Sequence, residues 1–222
     1  MDDAFWFSIE LSLKVAALST VLVALAATPL AWALARREFP GKTLVETLAT
    51  LPLVLPPTVT GYYLIVLLGR NGYLGKPLFE ATGISVMFTW QAAVIAAAVV
   101  AFPLMLRPAR AAIEAVDREY ERVASTLGQN AFQIALNVTF PLAWKGLLAG
   151  VVLAFSRALG EFGATMMLAG SIPGRTNTLT LEIYRAFQVG DDARANVAAL
   201  ILTGLSFGVV FLSERLGHGV RR

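Results

Sequence analysis

The sequence predicts an all-α protein that resides in a membrane, and three observations carry that prediction. Apolar residues make up 57% of the 222 and charged residues 15%, against roughly 45–50% and about 25% in a typical soluble domain. Mean hydropathy is +0.67. The apolar excess is gathered into blocks of Ala, Val, Leu and Ile about 20 residues long, the length that crosses a hydrocarbon core as a helix. Together these features exclude disorder and argue against a water-soluble monomer.

Five runs qualify as spans, in order Val15–Leu34, Leu48–Leu68, Ile84–Leu106, Gly146–Gly170 and Asn196–Ser213. The first is bounded by Lys14 and by Arg36-Arg37, and Phe5, Trp6 and Phe7 ahead of it suit an aromatic belt at the interface. Its leading residues, Asp2 and Asp3, are acidic and its apolar run is long, so it is expected to stay attached as an anchor rather than act as a signal peptide. The second and third runs contain no charged residue. The fourth holds two charges, Arg157 and Glu161, and the fifth is the shortest. A sixth, short element at Leu179–Val189 reads as a re-entrant or interfacial helix. No internal repeat is evident, so residues 1–222 are expected to form a single domain with its core at about 12–213.

Basic residues set the orientation. The connections 35–47 and 107–145 and the tail 214–222 share one side and carry Arg36, Arg37, Lys42, Arg107, Arg110, Arg118, Arg122, Lys145, Arg215, Arg221 and Arg222. The other side carries Arg70, Lys76, Arg175, Arg185 and Arg194. Eleven against five predicts the N-terminus outside and the C-terminus inside.

Rare residues exclude much chemistry. With no cysteine, thiol catalysis, thiolate metal sites and disulfides are all absent. The single histidine, His218, lies in the C-terminal tail and is expected to be an ordinary solvated side chain; it cannot build a histidine-rich metal site. A net charge of +3 is too small to argue for nucleic acid. Gly41-Lys42-Thr43 ends like a phosphate loop, but the glycine required five places earlier is Arg36, so the chain is expected to bind no nucleotide of its own.

The 39 residues from Arg107 to Lys145 form the one long connection, and long connections usually have a task. Ile113, Val116, Tyr120, Val123 and Leu127 recur at helical spacing, with Arg110, Glu114, Asp117, Arg118, Glu121 and Arg122 elsewhere around the helix. Gly128 stands where a C-terminal cap is expected. Asn130 then offers a cap for a second short helix with Phe132, Ile134 and Ala135, and Pro141 leads to the fourth span. Two readings compete: an amphipathic helix lying on the membrane surface, or a projecting knob that docks a cytoplasmic partner.

Val123-Ala124-Ser125-Thr126-Leu127-Gly128, with Pro141 thirteen residues later, resembles the coupling signature of ATP-binding-cassette (ABC) importer permeases. Arg122 stands at that pattern's Glu position with Glu121 one place early, and Val123 at its first Ala; Ala124, Leu127, Gly128 and Pro141 match. Ser156-Arg157-Ala158-Leu159-Gly160-Glu161-Phe162-Gly163-Ala164-Thr165 resembles the corresponding stretch of molybdate and sulfate permeases. Leu51-Pro52-Leu53-Val54-Leu55-Pro56-Pro57 and Phe39-Pro40-Gly41-Lys42 are similar to the molybdate branch. From about Ser12 to Leu212 the chain resembles the permease subunit of a bacterial molybdate ABC importer. The resemblance implies a type I importer fold in the inner membrane, with the N-terminus periplasmic and the C-terminus cytoplasmic. It implies 107–145 as a cytoplasmic coupling segment in which Arg122, Val123, Ala124, Leu127, Gly128 and Pro141 meet the ATPase. Its partners would be an ATPase subunit carrying ATP and Mg, a periplasmic molybdate-binding protein, and a second copy of the chain. Sulfate, thiosulfate and tungstate are alternative cargoes, because tetrahedral dianions of similar size differ little in a transient pathway.

Candidates for the pathway or its gate are Pro56, Pro57, Thr58, Thr60, Ser156, Arg157, Glu161 and Thr165. Pro52, Pro56 and Pro57 remove backbone donors, so the second span must bend or break, and broken backbone survives at membrane depth only where protein or a water-filled cavity satisfies it. Thr58 and Thr60 are placed to supply hydroxyls to the freed backbone or to a passing oxyanion; a purely structural kink is the competing reading. Arg157 and Glu161, at i and i+4, are read either as an ion pair that locks helix packing or as part of a gate. Gly160 and Gly163 beside them, with Gly146/Gly150 and Gly204/Gly208, make small-xxx-small patterns that permit close helix approach. An intramembrane hydrolase would need a base at a nucleophile, and only Glu161 near Ser156 offers one, with no histidine in any span. A passive channel would have no use for the docking pattern.

Overall fold

The computed structural model describes residues 2–218, without the side chains of 213, 214 and 216–218; the expectation for the His218 side chain lies outside what is described. Eleven α-helices follow one another, with no strand among the described residues. Four helical runs are long and apolar enough to cross a membrane: Asp3–Arg36, Trp90–Glu114, Ala131–Leu159 and Asp192–Leu212. A sharply bent pair, Lys42–Leu53 and Pro57–Leu68, makes a fifth crossing if taken as one.

Helix α1 (Asp3–Arg36) begins at Asp2, whose carboxylate accepts from the Phe5 N–H at 3.0 Å. At 34 residues it runs three turns further back than the predicted first span, about 50 Å in all at 1.5 Å per residue. Lys14 is therefore not a boundary: it lies within α1, 3.9 Å above the Trp90 ring. Phe5 also departs from expectation. Rather than joining an interfacial belt it is fully buried against Leu179 and Ala198, whereas Trp6 is 60% exposed.

Helices α2 (Lys42–Thr50) and α3 (Pro57–Leu68) meet at 116° across a short 3-10 turn, Leu51–Leu53. The predicted straight span Leu48–Leu68 is thus a broken one. Several N–H groups around the break find local acceptors: those of Val54 and Leu55 donate to the Leu51 carbonyl, and those of Val59 and Thr60 to that of Pro56. Helix α4 (Gly75–Thr82) precedes α5 (Trp90–Glu114), which starts six residues later than predicted because Thr89 caps it, its hydroxyl accepting from the Ala92 N–H.

The predicted amphipathic helix through 113–127 is cut in two. Helix α5 ends at Glu114, Asp117 caps a new helix by accepting from the Glu119 N–H at 2.9 Å, and α6 occupies Arg118–Thr126. Helix α7 (Ala131–Ile134) starts in a capping box between Asn130 and Gln133, and a π turn, Ala135–Thr139, leads into α8 (Phe140–Leu159). The predicted fourth span, Gly146–Gly170, is also broken: α8 stops at Leu159, and α9 (Gly163–Leu168) follows a bend at Gly160–Phe162. Helix α10 (Leu179–Gln188) is the predicted sixth short element, and α11 (Asp192–His218) is the last element among the described residues.

The core lies where α1, α5 and α8 pack together. Alanine lets them approach, with Ala92, Ala96, Ala97 and Ala101 of α5 all fully buried, and the Ser19 hydroxyl of α1 donates to the Val94 carbonyl at 2.9 Å. A Cβ on Gly146 would overlap Ala112, and one on Gly150 would sit 2.7 Å from Met105 Sδ. Gly204 and Gly208 meet nothing within 4 Å, so that pair does not serve packing within the chain. Gly150→Leu is accordingly expected to destabilise by roughly 1–3 kcal/mol through overpacking, whereas Gly208→Leu leaves the isolated chain's melting temperature in detergent unchanged within about 2 °C.

The two ends of α1 are tied down differently. At its start, Asp2 receives both Nη atoms of Arg194 at 2.9 and 3.0 Å. Arg194 also pairs with the fully buried Glu182, which holds Arg185 and accepts from Asn177. The Arg194 guanidinium holds the Asp2 carboxyl at about 2, below its ordinary 3.8. That tie is complete above the usual carboxylate range and fades only as pH falls toward 2. At the other end, Arg36 reaches the α6 region.

Candidate translocation and coupling sites

The segment from α6 to the π turn has two unlike faces. Outward stand Tyr120 at 60%, Val123 at 55%, Leu127 at 77% and Phe132 at 71% exposed, with Arg122 exposed between them and in no ion pair among the described residues. Inward stand Ala124, at 6%, and Glu121. The expected apolar stripe is therefore divided: Ile113 and Val116 are buried in the bundle, while Tyr120, Val123 and Leu127 face away from it. Ala124, expected on the outer contact surface, belongs to the inner one. Gly128 adopts φ +83° and an added Cβ there meets nothing within 4 Å, so backbone conformation rather than space within this chain requires glycine. Pro141 stands directly after the π turn within the continuous helical run Ala131–Leu159, where it can donate no backbone hydrogen bond back into that turn.

Sequence reasoning missed the anchor beneath this knob. Glu121 Oε1 accepts from Arg36 Nε at 3.0 Å and from the Thr139 hydroxyl at 2.6 Å, and Arg36 Nη2 donates to the Val116 carbonyl at 2.8 Å. In the sequence Arg36 bounds the first span and adds to the basic count of a connection, and no spacing rule links positions 36, 121 and 139.

The pathway candidates converge on the two helix breaks, which lie against each other. Gly163 approaches Pro57 and Thr58 so closely that a Cβ would be 2.9 Å from Pro57 Cβ and 3.2 Å from the Thr58 nitrogen. Gly61 makes the reciprocal approach to Ala164 and Met167 of α9. Gly160, by contrast, only nears its own Ser156 carbonyl. Pro56 and Thr58 are exposed, Pro57 and Ser156 partly buried, and Thr60 and Thr165 buried. The Thr60 hydroxyl oxygen has no hydrogen-bond partner.

Arg157 and Glu161 do pair, Nη1 to Oε2 at 2.7 Å, but not along one helix face, because Glu161 lies beyond the end of α8. Its side chain is 1% exposed, against 28% for Arg157. The same carboxylate accepts the Ala164 N–H at 2.8 Å, and the Glu161 carbonyl accepts from the Thr180 hydroxyl at 2.8 Å. One residue thus joins α8, α9 and α10. Charge in a site this dry persists only when paired and hydrogen-bonded, and here it is both.

Comparison with known proteins places this architecture. Residues 27–222 match the family described as binding-protein-dependent transport system inner membrane component. The chain is 42% identical over 219 residues to the molybdenum transport system permease protein ModB of Escherichia coli (strain K12), covering 98% of this chain and 96% of that one. It is 43% identical over 219 residues to ModB of Haemophilus influenzae, covering 97% and 94%. The sulfate transport system permease protein CysW of Synechococcus elongatus is 38% identical over 209 residues, covering 94% of this chain and 73% of that protein. Among solved structures, a bacterial ABC transporter importing the polysaccharide alginate superposes with a TM-score of 0.76 at 16% identity, over 100% of this chain and 82% of that one. The MetNI methionine ABC transporter superposes with a TM-score of 0.70 at 16% identity, over 100% of both. The fold is that of type I ABC importer permeases, and with its family match spanning most of its length the chain belongs to the inner membrane components of binding-protein-dependent transport systems.

Proposed function

We propose that the chain is the transmembrane subunit of an ABC importer and that two copies line a pathway for molybdate across the inner membrane. The observation that carries the cargo is likeness along the whole length to permeases named for molybdenum transport, at 42% identity over 98% of this chain. The sulfate permease relative is 38% identical and extends well beyond this chain, which covers 73% of it. The exposed apolar face of α6 and α7 supports docking by a separate ATPase that carries the ATP and Mg, with Arg122, Val123, Leu127 and Gly128 toward the partner. The chain itself holds no cofactor in this reading. An external binding protein delivers the anion, and the paired breaks at Pro56–Thr60 and Ser156–Thr165 lie along the route.

The test is reconstitution in liposomes with the cognate ATPase and binding protein. Labelled molybdate is expected to accumulate only with ATP inside and binding protein outside, and a tenfold excess of sulfate should compete poorly. Sulfate uptake exceeding molybdate uptake would move the assignment to the sulfate branch. The purified chain alone is expected to hydrolyse no ATP above background.

The same reading orients the chain, with the start of α1 periplasmic and the α6–α7 knob cytoplasmic, as the eleven-to-five basic asymmetry predicts. Reporters joined after Arg37 or within 114–130 should report cytoplasm, and those joined after Gly72 or Gly174 periplasm. A cytoplasmic signal after Gly72 would defeat this topology.

A further inference from the structure

We propose that Glu121 is a positioning residue that fastens the coupling helix to two spanning helices at once, so that displacement of α6 by the ATPase is delivered to α1 and α8 together. This rests on the outer face of α6 and α7 being the ATPase-docking surface, and assigns the inner face a role of its own.

Glu121 sits on the side of α6 opposite Val123, and its side chain is 17% exposed. A single carboxylate oxygen, Oε1, takes both the Arg36 guanidinium and the Thr139 hydroxyl. Arg36 is the last residue of α1, 8% exposed at its side chain, and its second arm holds the Val116 carbonyl in the turn that leads into α6. Thr139 is fully buried and ends the π turn that opens α8. One carboxylate thus ties three segments far apart in sequence.

Two features make this a transmitting joint rather than a patch of surface charge. Charge-assisted hydrogen bonds in a site largely shielded from water are stronger and more directional than exposed ion pairs. The π turn, a wider turn that helices adopt rarely and often at functional positions, puts the Thr139 hydroxyl on the side facing Glu121. Ala124, one turn along α6, is small enough to let the helix seat against the bundle. At its other end α1 is tied through Asp2 to Arg194, which also pairs with the buried Glu182.

The experiment uses the complete complex of permease, ATPase and binding protein in liposomes and measures three quantities: co-purification of the ATPase, ATP hydrolysis, and molybdate taken up per ATP hydrolysed. Glu121→Ala is expected to retain co-purification and hydrolysis within about twofold, while uptake per ATP falls about tenfold, within the 5–150-fold range of typical coupling. Glu121→Gln, which keeps an acceptor oxygen at Oε1, should recover part of that ratio. Thr139→Val, of nearly the same shape, should lower it by about threefold. Unchanged uptake per ATP in Glu121→Ala overturns the proposal, as does a loss of uptake that merely follows lost assembly with the ratio preserved. If Glu121→Ala does not assemble, Thr139→Val decides, and an unaltered ratio there overturns it. Leu127→Asp on the outer face separates the two ideas: if it leaves the ATPase bound, the docking assignment fails whatever Glu121 does.

Discussion

Gly128→Glu is expected to leave the permease inserted and folded while reducing anion uptake by at least about tenfold, an effect of 1.4 kcal/mol or more on assembly or coupling. Two causes act together. Gly128 adopts φ +83°, a conformation that costs a residue with a side chain roughly 1–2 kcal/mol. The new carboxylate would also project from the turn, since nothing in this chain lies within 4 Å of an added Cβ. It would stand beside Leu127, the most exposed apolar residue of the knob at 77%, on the face assigned to the ATPase. Gly128→Ala separates the causes, because it carries the backbone strain without the charge and should cost less than threefold in uptake. Leu127→Asp carries the charge without the strain and should resemble Gly128→Glu. Normal uptake in Gly128→Glu would mean that the α6–α7 turn is not where the ATPase binds.

The knob shows where sequence reasoning succeeds and where it stops. Asn130 as a cap and Gly128 in a left-handed turn follow from the local chemistry of side-chain oxygens and a missing Cβ, and both are present. The periodic stripe from Ile113 to Leu127 is legible too, but its spacing alone predicts one helix. Periodicity measures the angle between residues and is blind to a cap such as Asp117, which ends one helix and starts another without disturbing the spacing. The consequence reaches function: the stripe divides into Ile113 and Val116, which hold the bundle together, and Tyr120, Val123 and Leu127, which face outward. Ala124 then turns inward. The anchor at Glu121 was not legible at all, because Arg36, Glu121 and Thr139 meet only in three dimensions.

The broken spans divide in the same way. Prolines 52, 56 and 57 announce the bend between α2 and α3 because they cannot donate within a helix, and the bend is 116°. The end of α8 at Leu159 carries no proline, only Gly160 as its C-cap with the charged Arg157 and Glu161 on either side. Tertiary packing supplies the reason for that break: Gly163 must come against Pro57 and Thr58, so the α9 backbone turns into the elbow of the other broken span. The two discontinuous helices are nested in this way, although Val54, Pro56 and Thr58 of the first break remain exposed on this chain. The orphaned Thr60 hydroxyl at that junction marks a polar atom that the bundle itself does not satisfy.

Neutralising Arg157 and Glu161 together is expected to restore most of what either single change removes. Arg157→Gln leaves the Glu161 carboxylate, 1% exposed, without its countercharge 2.7 Å away. Breaking a fully buried pair on one side costs roughly 3–5 kcal/mol, and less here because Arg157 keeps contact with water. Glu161→Gln strands the guanidinium instead, but its amide oxygen still accepts the Ala164 N–H that the carboxylate holds at 2.8 Å. It should therefore be the milder single change. In the double variant no charge is stranded, and the cap on α9 and the Thr180 bond to the Glu161 carbonyl both remain. Stability of the detergent-solubilised complex and anion uptake, measured for both singles and the double, test this. Coupling of about 1.5–3 kcal/mol between the two sites, with uptake recovering alongside stability, identifies a packing lock that holds α8, α9 and α10 in register. A double variant that assembles at full stability yet transports poorly would show instead that the charge of Arg157 or Glu161 acts on the anion or on a gate. The geometry favours the lock: the buried Glu161 faces the Arg157 guanidinium through Oε2, accepts the Ala164 N–H through Oε1 and takes the Thr180 hydroxyl at its carbonyl, so one residue ties α8, α9 and α10 together.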